Sequence, residues 1–205
     1  MRLNPAALVG LLALLWSASA LAQADASLIA ALRAGGNVIV LRHGATNPDQ
    51  ADTNPLDPKD RTHQRQLNDN GRAAAKAMGE ALRALKVPVG QVVTSVFYRA
   101  VETGTLLGLG EVTSTPDISE GGLVVSPNEN NRRAAALKKL AATAPAAGSN
   151  VILVTHKPNI MDAFGKDWFD VREGEASVFR PDGKGGFTLV GRVLAADWPR
   201  LAKAN

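Results

Sequence analysis

The chain has 205 residues, 45% hydrophobic and 20% charged, proportions that suit one folded domain and exclude disorder as its default state. It contains no cysteine, which excludes disulfides, thiolate metal sites and every cysteine nucleophile. A formal net charge of +4, no block of like charges and only 4% aromatic residues give no case for nucleic acid, and a small anionic partner is the better expectation.

In chain order, Arg2 precedes an apolar run from Ala6 to Leu15, and Ala20-Leu21-Ala22 has the small-x-small form of a signal-peptidase site. The pattern predicts a signal peptide over residues 1–22, cleaved after Ala22 or, at the rival site Ala22-Gln23-Ala24, after Ala24. The expected location is periplasmic or secreted, without stable membrane insertion. A spanning anchor would need about 20 apolar residues, and Ser17 and Ser19 interrupt this run. Residues 23–205 are then read as a single domain.

Leu28, Ile29 and Leu32 predict a helix over Ser27 to Ala34, stopped by Gly35-Gly36. The apolar run Val38-Ile39-Val40-Leu41 then reads as a buried strand delivering Arg42-His43-Gly44 to a loop. Thr46 to Gln66 is rich in Asn, Asp and Pro and predicts a long surface loop forming one wall of a pocket. Asn68 is an N-cap for a helix through Leu85, with Ala74, Met78, Ala81, Leu82 and Leu85 on one face. A second strand, Gln91 to Thr94, gives way to Ser95 and to a helix from Tyr98 to Leu107 carrying Arg99. A short strand near Val112 to Ser114, a turn at Ile118 to Gly122, and a helix from Asn128 to Thr143 with Leu137 and Leu140 inward come next. Asn150 to Thr155 reads as a strand ending on His156, followed by a helix from Pro158 to Phe164 with its proline where a missing N–H costs nothing. Ser177 to Arg180 and Phe187 to Leu194 flank Pro181-Asp182-Gly183-Lys184-Gly185-Gly186, a hairpin signal, and a short helix follows Asp197.

Strands alternating with helices predict a three-layer α/β/α sandwich, its sheet mostly parallel with a C-terminal antiparallel hairpin. Ligands of such sheets bind beyond the carboxyl ends of the strands. Three strands each end on a basic or imidazole group there, so Arg42, His43, Arg99 and His156 are expected to converge on one anion. Thr46, three residues after His43, is close enough to reach an oxygen of that anion, and Arg65 can add positive charge from the loop wall or lie on the surface. His63 reads as a loop residue. Glu102, three residues after Arg99 on a helix, is expected in an ion pair.

Leu41-Arg42-His43-Gly44, Leu67-Asn68-Asp69-Asn70-Gly71-Arg72, the stretch from Thr94 to Thr103 and Val154-Thr155-His156 occur in this order over most of the chain beyond residue 22. Together they resemble the successive signatures of the histidine phosphatase superfamily, which includes the phosphoglycerate mutases, and the predicted export signal resembles its small bacterial periplasmic members. The resemblance implies a phosphomonoesterase working through a phosphohistidine on His43, with Arg42 and Arg99 holding the phosphate oxygens and His156 donating to them. In one branch of the family an aspartate follows the second histidine; here Lys157 stands there. In the mutase branch a glutamate in a loop is the acid, and Glu120 is the matching position, read either as a shielded general acid or as an exposed turn residue.

Neither a metal nor a cofactor is expected. His43, His63 and His156 lack zinc-ligand spacing, no Gly-x-Gly-x-x-Gly follows the first strand, and no Gly-x-Ser-x-Gly elbow occurs. Phosphohistidine hydrolysis and a non-catalytic phospholigand-binding role stay open beside ester hydrolysis. A mutase is disfavoured because the loop from Thr46 to Gln66 adds only Lys59, Arg61 and Arg65 to a cationic wall. The particular phosphomonoester and the oligomeric state are not legible in the sequence.

Overall fold

The computed structural model describes residues 23–54, 57, 59–121 and 125–203. The predicted signal segment, 1–22, lies outside them. Residues 23–34 form the first helix, α1. There follow β1 (Val38–Arg42), α2 (Asp69–Ala84), β2 (Val89–Thr94), α3 (Tyr98–Leu106), β3 (Val112–Ser114), α4 (Pro127–Ala141), β4 (Asn150–Thr155), α5 (Lys157–Phe164), β5 (Ala176–Pro181), β6 (Phe187–Val193) and α6 (Trp198–Lys203). Among the described residues no helix is long and apolar enough to cross a membrane.

The six strands form one sheet in the order β3-β2-β4-β1-β5-β6. β3, β2, β4 and β1 run parallel, and the hairpin β5-β6 is antiparallel to β1 and to itself. The fold is the expected three-layer sandwich with its terminal hairpin. Alternation along the central strands makes two cores. Ile39 and Leu41 of β1, with Ile152 and Val154 of β4, face α1, α2, α3 and α6. Val38, Val40 and Leu153 face α4 and α5 on the other side.

Asn68 caps α2 by accepting from the Gly71 N–H at 2.8 Å, as its sequence position predicts. On this helix Ala75 is buried and Ala74 only partly so, a shift of one position from the predicted face, while Met78, Ala81, Leu82 and Leu85 are buried as expected. At the amino ends of the strands, buried Asn37 and Asn150 bond to each other and to backbone carbonyls of Ala31, Leu32 and Pro88. This closes the sheet at one end. The carboxyl ends of β1, β4 and β2 remain for chemistry.

Candidate active site

Register places the first pair of functional groups. Arg42 lies opposite Thr155 in the parallel β1–β4 ladder, so the next residues, His43 and His156, leave neighbouring strands side by side. The His43 N–H donates to the Thr155 carbonyl at 3.0 Å, and the two imidazole rings sit edge to face with centroids 5.1 Å apart. β2 pairs with the other edge of β4, so Ser95 arrives beside His156, its Oγ 2.7 Å from Nε2. Phe97 packs against the His156 ring, and the Arg99 guanidinium lies over the Phe97 ring at 4.6 Å.

His43 is buried, and its Nδ1 is 2.9 Å from the carbonyl of Gly44. A carbonyl can only accept, so Nδ1 carries the proton and Nε2 keeps its lone pair. Burial, followed by the neighbouring His156 and Arg99, pushes the His43 pKa well below its ordinary value, so the ring is neutral at neutral pH. His156 is also shifted down, because burial outweighs the opposing pull of Glu120. The loop under His43 is fixed by the Gly44 N–H donating to Thr103 Oγ1 at 3.0 Å, and Thr103 donates in turn to the Arg99 carbonyl at 2.7 Å. Gly71 lies against this loop so closely that a Cβ there would stand 2.1 Å from the Ala45 carbonyl oxygen.

Arg99 is fully buried. Its Nη1 donates to Asp52 at 2.9 Å and its Nη2 to Glu120. Glu120 therefore lies in the site, and the exposed-turn alternative does not hold. Its Oε1 is also 3.2 Å from His156 Nδ1, in an alignment too poor for a hydrogen bond. Burial alone would raise the Glu120 pKa, but His156 and Arg99 outweigh it and hold the carboxyl far below the usual range. Arg133 of α4 donates to the Ser119 and Glu120 carbonyls and pins this segment.

Arg42 donates through Nη1 to the Val171 carbonyl at 2.8 Å, and its Nη2 is 3.5 Å from Glu173 Oε1. Burial lowers the Arg42 pKa against the pull of Glu173, nearby Arg65 lowers it further, and the Arg65 backbone N–H donates to Asp52 at 3.0 Å. The Thr46 hydroxyl donates to Glu173 at 3.0 Å, so in this state it serves the pocket rim. Four donor nitrogens of this cluster, Arg42 Nε, Arg65 Nε, Arg99 Nε and His156 Nδ1, are buried without a hydrogen bond among the described residues.

Other sequence-predicted residues settle differently. Glu102 pairs with Arg72 of α2 at 2.8 Å and not with Arg99, because its helix packs α2 on that side. Lys157 Nζ lies over the Phe169 ring at 4.8 Å. His63 is an exposed loop residue bonded to Asp60. Among the described residues no three His, Asp or Glu side chains are grouped to hold a metal ion.

Sequence reasoning missed Asp52, Glu173 and Gln64, whose Oε1 accepts from the Tyr98 N–H at 2.7 Å and so holds the start of α3. It also passed over the hydroxyl of Ser95. Only Ser95 carried a legible signal, since it ends a strand as His43 and His156 do.

The family model described as histidine phosphatase superfamily (branch 1) matches residues 38–123. Among solved structures, the protein histidine phosphatase SixA complexed with tungstate is 19% identical, with 78% of this chain and 98% of that chain covered at a TM-score of 0.56. A mycobacterial glucosyl-3-phosphoglycerate phosphatase complexed with VO3 is 17% identical, covering 76% of this chain and 97% of that one at 0.54. A phosphoserine phosphatase mutant from Entamoeba histolytica is 14% identical, covering 76% and 95% at 0.51. At these identities the likeness is one of fold. No curated protein sequence matches the chain.

Proposed function

We propose that the chain is a member of the histidine phosphatase superfamily, whose model matches residues 38–123, and that it hydrolyses phosphomonoesters through a phosphohistidine on His43, without a metal. The observation that carries this reading is the set of buried Nε donors on Arg42, Arg65 and Arg99 that lack a hydrogen bond among the described residues, together with His156 Nδ1, which faces Glu120 Oε1 at 3.2 Å, beside a neutral His43. Each unsatisfied buried donor costs about 1–3 kcal/mol, and a tetrahedral oxyanion supplies acceptors for all of them. On each arginine the Nε–H and one Nη2–H form the fork that grips two oxygens in parallel.

His43 Nε2 attacks phosphorus in line with the leaving oxygen; the N–P bond forms as the P–O bond breaks. The Nδ1–H bond to Gly44 steadies the positive charge that the ring acquires. Arg42 and Arg99 hold the equatorial oxygens, and His156 donates from Nδ1 as their charge redistributes. An arriving phosphate competes with Glu120 for Arg99. A carboxyl displaced from its cation and set beside a dianion binds a proton more tightly, so Glu120 protonates and gives that proton to the departing alkoxide. In the second half water attacks phosphorus, passes its proton to Glu120, and the N–P bond breaks back to neutral His43.

A second reading, hydrolysis of phosphohistidine, is favoured by the ion pair that keeps Glu120 ionised at rest, because an imidazole leaving group needs no acid. We also take residues 1–22 as an export signal on their sequence pattern. The test is phosphate release in the presence of chelator from alkyl phosphates, aryl phosphates and phosphohistidine. Release abolished by His43→Ala supports the proposal; release that survives it, or that requires added metal, refutes it.

A further inference from the structure

We propose that Glu173 is a specificity-determining residue that selects phosphorylated substrates carrying an ammonium group within a few bonds of the phosphate. The inference rests on the phosphate site described above and names the class of substrate for it.

Glu173 is built into the nucleophile strand. The turn that carries it is closed by Gly174, whose φ of +72° suits glycine and whose N–H donates to both the Arg42 and His43 carbonyls, at 3.1 and 2.9 Å. The Arg42 N–H returns a bond to the Glu175 carbonyl at 3.0 Å. The buried Glu175 carboxylate anchors the turn from below, accepting from the Arg172 N–H at 2.9 Å and from Arg192 at 2.5 Å. Bonded to the nucleophile strand on both sides, this backbone fixes the place of Glu173 at the pocket rim. Its side chain is 29% exposed at the rim, 3.5 Å from Arg42 and bonded to Thr46.

Charge makes this position informative. The cage holds three cations, Arg42, Arg65 and Arg99, and three carboxylates, Asp52, Glu120 and Glu173, around two histidines shifted toward neutrality. It is balanced before any substrate enters. A phosphomonoester dianion brings two further negative charges. Glu120 can be displaced from Arg99 and take up a proton, but Glu173 touches Arg42 from a fixed turn, so its carboxylate stays beside the incoming anion. A cage for phosphate esters that carry no cation would bind better with an amide there. A substrate that brings its own cation restores the balance, and an ammonium on the second carbon from the ester oxygen reaches the rim carboxylate while the phosphate occupies the arginines.

Ethyl phosphate and 2-aminoethyl phosphate differ chiefly in that ammonium group. Their binding to His43→Ala and to His43→Ala/Glu173→Gln proteins is measured by calorimetry, with inorganic phosphate as reference, and their turnover is compared in the wild type and Glu173→Gln. The expected result is about a tenfold preference for the aminoethyl ester, erased in Glu173→Gln because ethyl phosphate gains and aminoethyl phosphate loses. Equal affinities with an intact Glu173, or a loss in Glu173→Gln by the same factor for both esters, would overturn the inference and leave Glu173 as a support for Arg42 only. Inorganic phosphate binding establishes the cage independently, so tight phosphate binding without ester discrimination sinks only the selectivity. Failure of phosphate and both esters to bind sinks the cage, and the selectivity with it.

Discussion

Ser95 and His156 meet at the ends of neighbouring strands with Ser95 Oγ 2.7 Å from His156 Nε2. The serine oxygen accepts from the Phe97 N–H at 3.1 Å, and the Glu120 carboxylate, which can only accept, faces His156 Nδ1 at 3.2 Å, so the serine proton goes to Nε2. This leaves the His156 proton on Nδ1, the nitrogen that faces Glu120 and lacks a hydrogen bond. One hydroxyl thus sets the tautomer in which His156 can donate to a phosphate oxygen.

Ser95→Ala is expected to lower kcat by roughly 10- to 100-fold, with a smaller effect on KM, because the misdirected proton is needed most as charge redistributes. Steady-state kinetics, together with nitrogen NMR of the His156 tautomer in both proteins, checks this. An unchanged tautomer would show that Ser95 has no such part.

Glu120→Gln separates the acid from the cage. With alkyl phosphates, whose leaving oxygen needs a proton, kcat should fall by about 10²- to 10⁴-fold. With p-nitrophenyl phosphate or phosphohistidine the loss should be far smaller. Equal losses across leaving groups would assign Glu120 to holding Arg99.

Stability should fall on the acid side, with a sign fixed by three groups. His43 and His156 have folded pKa values below the ordinary 6.5, so the unfolded chain binds protons that the folded one refuses as pH drops below that value. Their contribution is complete above pH 6.5 and is lost toward the lower folded values, at about 1.4 kcal/mol per pH unit for each ring. Glu120, also held low, contributes above its ordinary 4.5 and loses that contribution at still lower pH. Chemical denaturation between pH 7.5 and 5 should show this slope, and His43→Asn should flatten it.

Two glycines of α2 make a matched pair. A Cβ at Gly71 would press on the Ala45 backbone beneath the nucleophile loop, whereas one at Gly79 would stand 1.9 Å from the Leu107 carbonyl oxygen, at the end of α3. Both alanine variants should lose about 2–3 kcal/mol. Only Gly71→Ala should also depress kcat of the folded fraction; denaturation midpoints alongside active-site titration distinguish them.

The strands and their terminal residues were legible because alternation and abrupt polar endings are local signals. Arg42, His43, Arg99 and His156 could be aligned from the strand pattern alone, and the observed order places β2, β4 and β1 side by side. The rim was hidden. Asp52 meets Arg99 across 47 residues, and Glu173 meets Thr46 across 127, from a loop and a turn without periodicity. The ion pair expected for Glu102 forms, but its partner, Arg72, stands on a neighbouring helix that spacing within α3 does not reveal.

The most direct test of the account is to mix the protein with a radiolabelled phosphomonoester, quench it in alkali within milliseconds, and map the label. Acid-labile, alkali-stable phosphate on His43, formed and lost at rates that match turnover and absent in His43→Ala, is the predicted result. Turnover at full rate with no label on His43 would contradict it.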